Sequence, residues 1–157
     1  MLIPLKQFIC DSCKKPIVNI EDGWIEWESY IDAKTDKIVS KNFRICHHNN
    51  KCQKLIKHPN CADLPLSDFT GDYAIVQTIS MLDIGVYHDP TYAVGSEIEN
   101  LREFAELQRR LLLPYYEEAR QYWNEAINQG YFGDMNEISI YLPSFLKRMI
   151  EDFSESH

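Results

Sequence analysis

The pattern of apolar and polar positions changes once along the chain. Up to about residue 62 the apolar residues come in short runs rich in aromatic and β-branched side chains: Leu5 to Ile9, Trp24-Ile-Glu-Trp-Glu-Ser-Tyr-Ile31, and Lys37 to Ile45. Such side chains lose little freedom on a pleated surface, so these runs read as strands. The polar, turn-prone stretch Asp32-Ala-Lys-Thr-Asp36 joins the last two runs, which predicts a β-hairpin.

Beyond residue 62 the spacing becomes helical. Asp72 to Gly85 places Ala74 or Ile75, Ile79 and Leu82 on one face, with Thr70 or Ser67 as the cap and Gly85 as the stop. Residues 86–95 contain Pro and Gly without periodicity and read as a linker. Ser96-Glu-Ile-Glu99 is a capping box that opens a long helical segment closing at Gly130. Its stripe Ile98, Leu101, Ala105, Leu112, Tyr115, Ala119, Tyr122, Ala126 steps by three and four apart from Gln108, a pattern that also allows pairing with a second copy. Phe104, Leu107, Leu111, Tyr116 and Trp123 widen that stripe, which suits burial in a helical domain instead. Pro114 lacks an amide hydrogen and collides with the preceding turn, so a kink or break is expected near residue 113. Asp134-Met-Asn-Glu137 is a second helix-start signal, and Pro143 begins or bends a last helix carrying Phe145, Leu146, Met149, Ile150 and Phe153. The expected fold is α+β: a zinc-ribbon-like β-hairpin module over 1–62, a short helix and linker over 63–95, and a helical region over 96–157 with a long, Pro-kinked helix.

Candidate chemistry is concentrated in the first half. Cys10-Asp-Ser-Cys13 and Cys46-His47-His48-Asn-Asn-Lys-Cys52 supply soft ligands in two tight groups. A Cys-x-x-Cys turn converges two thiolates on one ion, and a second group closes the tetrahedron that Zn²⁺ accepts. The expected ligands are Cys10, Cys13, His48 and Cys52. His47 competes directly with His48, because neighbours on a strand point to opposite faces and only one can face the metal. Cys46, His58 and Cys61 remain as alternatives.

Charge and composition narrow the partners. The chain has 157 residues, five cysteines and a net charge of −8. Residues 1–62 carry ten Lys/Arg against seven Asp/Glu, whereas residues 63–157 carry six against seventeen. The basic residues of the first half, Lys34, Lys37, Lys41 and Arg44 among them, are scattered rather than clustered, and the acidic half repels a polyanion, so nucleic acid is disfavoured. No apolar run is long enough to cross a bilayer, and Met1 to Ile9 lacks the features of a secretion signal. An odd number of cysteines mixed with histidines suits metal binding in a reducing, cytoplasmic compartment. Deaminase and His-Asn nuclease patterns are incomplete, since there is no His-x-Glu and no later helical Asn/His pair; no catalytic residue is assigned.

Phe8-Ile9-Cys10-Asp11-x-Cys13, Asp22-Gly23-Trp24-x-x-Trp27, Phe43-Arg44-Ile45-x-His47-His48 with Cys52, and Leu64-x-Leu66-x-x-Phe69-x-Gly71 together resemble a group of uncharacterised small bacterial and phage proteins with an N-terminal zinc-ribbon-like segment. The resemblance spans roughly the first 85 residues; it implies a metal site and a bacterial or phage origin, and it brings no activity. The functional expectation is a non-catalytic, zinc-stabilised protein-binding or regulatory protein, with the acidic, aromatic-rich helical half and charges such as Glu117, Glu118 and Glu125 meeting another protein. The alternatives are a zinc-ribbon DNA-binding regulator and, behind it, a metal-dependent enzyme.

Overall fold

The computed structural model describes residues 1–83, 85 and 98–154. It is a mixed α+β structure with two small antiparallel sheets. In the first sheet, β1 (Phe8–Ile9) pairs with β2 (Pro16–Ile17), so Cys10 to Lys15 form the loop of a tight hairpin. The second has the order β4-β3-β5, with β3 at Gly23–Ile31, β4 at Ile38–His47 and β5 at Cys61–Pro65.

The expected hairpin is β3–β4. It runs from Ile31 opposite Ile38 at the turn to Gly23 opposite His47 at the open end. Asp32 shapes the turn, accepting the Lys34 amide at 3.1 Å and the Thr35 hydroxyl at 2.9 Å. Between Glu26 and Glu28 the register slips: β3 advances by two residues while β4 advances by three, from Arg44 to Lys41. Asn42, at φ +58°, lies in this β-bulge and donates its side-chain amide to Glu28. Gly23 is required by space rather than by its dihedral: a Cβ there would lie 2.5 Å from Leu66 Cδ2.

β5 was not foreseen. The run is short and ends in Pro65, but Ala62, Leu64 and, just past it, Leu66 alternate and face the core, and its backbone pairs with β3 from Trp24 opposite Pro65 to Glu28 opposite Cys61.

Helix α1 spans Asp72–Leu82, but its buried face is Ala74, Thr78 and Met81. The expected face is turned outward in part, since Ile75 and Ile79 are exposed. Neither Thr70 nor Ser67 caps the helix through its side chain; Gly71 occupies the cap position. The linker expected at 86–95 and Ser96 of the capping box lie outside the described residues.

Helix α2 is Leu101–Leu112, capped by Asn100, whose side chain accepts the amides of Arg102 and Glu103. It buries Phe104, Leu107 and Leu111 against the sheet, while Leu101 of the proposed pairing seam is 66% exposed. The wide face is the one α2 packs within the chain, and Leu101 of the stripe stays on the surface. Pro114 breaks the segment as expected. Tyr115 takes a left-handed backbone, and the chain resumes as α3 (Tyr116–Ala119), a 3₁₀ turn and α4 (Trp123–Asn128).

Helix α5 is Pro143–Ser154, with the proline at its first position and all five expected residues buried: Phe145, Leu146, Met149, Ile150 and Phe153. Around them pack Tyr116, Tyr122, Trp123, Tyr131, Phe132 and Tyr141. Tyr116 is buried among them, and the other five are half-buried at the edge of this core.

Candidate metal centre

One donor atom from each of Cys10, Cys13, His47 and Cys52 lies within 4.8 Å of every other. A tetrahedron with metal–sulfur bonds of about 2.3 Å has edges of roughly 3.8 Å, so the four donors need only a small contraction to close on Zn²⁺. The Cys13 Sγ to His47 Nδ1 distance is 3.4 Å.

Local sequence explains each position. In the Cys10–Cys13 turn, the Cys10 amide donates to the Lys15 carbonyl at 3.0 Å and the Lys14 amide to the Cys10 carbonyl at 2.9 Å. Lys14 reverses the chain at φ +62°, a conformation a glycine would hold with less strain. Burial raises the Cys10 thiol, but the amides of Cys13, His47 and Ser12 and the His47 ring outweigh it and hold the group at about 6. Cys10 is thus poised as a thiolate, the form that binds metal. Burial pushes the Cys52 thiol the other way, with Cys10 and Cys13 adding to the rise. Three sulfurs in one small space repel each other's charge, and a bound cation relieves that repulsion.

His47 ends β4 and turns its ring into the cluster. Its Nε2 lies 3.3 Å from the Pro16 carbonyl. A carbonyl only accepts, so Nε2 carries the hydrogen and Nδ1 keeps a lone pair facing Cys13, the tautomer a metal requires. Cys52 is presented by a turn in which the Asn49 side chain accepts the amides of Lys51 and Cys52, each at 3.0 Å.

The structure brings His47, not the expected His48, into the group. His48, one residue past His47, emerges on the other face and stacks on the Trp24 indole with ring centroids 3.9 Å apart and planes 18° from parallel. The alternation along a strand that made the two histidines mutually exclusive selects His47. The alternative ligands lie elsewhere. Cys46 is buried opposite Trp24, its thiol pushed up by desolvation; Cys61 pairs opposite Glu28; and His58 Nε2 sits 3.6 Å from a Glu28 oxygen.

A supporting shell of polar side chains was missed entirely. Glu26, fully buried, accepts the amides of Lys54 at 2.8 Å and Leu55 at 3.0 Å and the Arg44 guanidinium at 3.1 Å, fixing the loop after Cys52. Arg44 also donates to Ser12 Oγ at 2.6 Å, and that hydroxyl donates to the Cys52 carbonyl. Asp11, between the two cysteines, exchanges hydrogen bonds with Ile45 in both directions at 2.8 Å. The signal in the sequence was a glutamate at Glu26 inside an aromatic strand, where a charge survives only if fully partnered.

Asp11 also faces the helices. Arg110 of α2, 5% exposed, forks between Asp11 (2.8 Å) and Glu117 (2.7 Å) and donates to the Ile9 carbonyl at 3.0 Å. Glu117 in turn accepts the Ile9 amide at 2.8 Å. Glu117 is therefore an internal clamp, and Glu118 binds the Leu2 amide, so neither belongs to an outward acidic face.

No protein-family model, curated protein or solved structure matches the chain. The functional reading rests on the residues and their geometry.

Proposed function

We propose that this is a non-catalytic, zinc-stapled binding protein. Zn²⁺ held by Cys10, Cys13, His47 and Cys52 fixes a zinc-ribbon-like module in a reducing cytoplasm, and the helical half meets another protein. The observation that carries the reading is the convergence of four side-chain donors backed by the Pro16 carbonyl. A zinc ion with four protein ligands keeps no open position for water or substrate, which favours a structural over a catalytic role.

With Glu117 and Glu118 engaged internally, the contact surface moves to the approach to α5. There Ile138 is 78% and Leu142 51% exposed, and Asp134 and Glu137 are exposed beside them. An apolar centre with an acidic rim suits a protein carrying an apolar anchor among basic residues. On the hairpin, Lys41 lies 3.4 Å from Glu99 and Arg44 is spent on Glu26, which leaves little for phosphates.

Elemental analysis of the purified protein tests the metal: about one zinc per chain is expected, as one tetrahedral site requires. A folded sample without metal would refute it. For the partner, in-cell crosslinking with Ile138→Asp and Leu142→Asp together should abolish the adduct while leaving zinc content unchanged. An adduct lost instead on reversing Lys34 and Lys37, or one consisting of nucleic acid, would move the function to the hairpin.

A further inference from the structure

The acidic half of the chain places its few cations together. Of the six basic residues beyond position 62, four are Arg102, Arg109, Arg110 and Arg120. They line two adjoining hollows of about 530 and 240 Å³ that share Glu103, Glu106 and Arg120. The larger lies within the usual range of small-molecule sites, roughly 300–1,000 Å³.

Both carboxylates in the larger hollow are already occupied. Glu103 accepts the Phe43 amide at 2.7 Å. Glu106 accepts the hydroxyl of buried Tyr116 at 2.6 Å and Arg120 Nε at 3.2 Å, and lies 3.6 Å from Arg109 Nη1. One carboxylate, anchored by a buried phenol, thus holds two guanidinium groups side by side. Arg109 is further fixed over the Tyr141 ring, 4.8 Å from its centroid. Arg102 makes no side-chain hydrogen bond or ion pair among the described residues, and the Nη groups of Arg120 have no partner there either.

We propose that this hollow binds the phosphoryl group of a small phosphate monoester through Arg102, Arg109 and Arg120. Glu103 and Glu106 leave the three guanidinium groups one net positive charge, so the match rests on their N–H groups unpaired among the described residues, which suit the several acceptor oxygens of a phosphoryl group better than the two of a carboxylate. A nucleobase is disfavoured, because Tyr141 is covered by Arg109 on one side and by Trp123 at 5.7 Å. The site is separate from the metal centre and does not depend on the zinc reading.

The test titrates inorganic phosphate, then glycerol phosphate, into the full-length zinc-loaded protein at constant ionic strength, following the Nε–H resonances of the arginines. Saturable shifts at Arg109 and Arg120 are expected, with acetate binding much more weakly. Arg102→Gln breaks no internal contact and should weaken phosphate binding several-fold; Arg102→Gln with Arg109→Gln should weaken it about tenfold or more, as loss of charge-assisted hydrogen bonds predicts. No saturation in the millimolar range, shifts centred on other residues, acetate binding as well as phosphate, or an unaltered affinity in both variants would overturn the proposal.

Discussion

The two ends of the molecule reach order by different means. At the Cys/His end the short strands β1 and β2 contribute two residues each, and the donors are positioned by the Glu26 and Asp11 carboxylates and by backbone amides. At the α5 end aromatic rings pack on Phe145, Phe153 and one another, for example Tyr131 on Phe153 with centroids 5.1 Å apart, and the core cluster contains no charged side chain among the described residues. The sheet end is not poor in apolar contacts, since Phe8, Ile17, Ile25, Ile45, Leu66 and Phe69 are fully buried there; it differs in setting beside that core a Cys/His group that could hold a metal ion, whereas the ring cluster needs only exclusion of water. Arg110 is where the two meet.

On the proposed reading of the Cys/His group, the comparison breaks most visibly when metal is withheld. Chelation or Cys10→Ser should remove a contribution that in zinc-finger peptides reaches about 10–16 kcal/mol. Hydrogen exchange should then accelerate across β1–β4 and across α2, whose Phe104, Leu107 and Leu111 complete the sheet's core, while α5 stays protected. Equal loss at α5 would show a single cooperative unit. Arg110→Ala should cost about 3–5 kcal/mol in chemical denaturation, because Asp11 and Glu117 are left charged and unpaired. A cost below 1 kcal/mol, roughly that of an exposed pair, would mean water already reaches the network.

Smaller changes sharpen the contrast. Gly23→Ala forces a methyl against Leu66 and should destabilise by about 1–3 kcal/mol in the same assay. His48→Ala removes only the Trp24 stack and should cost about 0.5–1.5 kcal/mol with zinc content intact. His47→Ala should instead lower metal affinity, and the reverse pattern would return His48 to the site. Leu101→Glu should leave stability within about 0.5 kcal/mol, since the side chain is exposed, and a change of oligomeric state on that substitution would show pairing along the heptad-like stripe.

What the sequence disclosed follows from how local each cause is. The hairpin, the Pro114 break and the face of α5 are set by residues near one another in the chain, and all three are read from spacing. The ligand group was legible except for one step of strand phase, which decides His47 over His48 and depends on where β4 ends. β5 and the Arg110 clamp were less legible, because β5 is a five-residue run whose alternation of Ala62 and Leu64 is cut short by Pro65, and Arg110 meets Asp11 across 99 positions. The faces of α1 and α2 were misread in part because the hydrophobic stripe is broad and the sheet it packs on was incompletely drawn.

The bulge at Asn42 has a practical corollary for anyone extending this chain. It divides the β3–β4 ladder into two registers, one ending at the 32–36 turn and the other at Gly23 opposite His47. Residues added within the turn are absorbed on the turn side, because the metal-side register is pinned independently by Asp11 on Ile45 and by the His48 amide on the Asp22 carbonyl at 2.8 Å. An epitope or a fluorescent reporter spliced between Ala33 and Lys34 would therefore ride on the far end of the hairpin without moving a single donor atom.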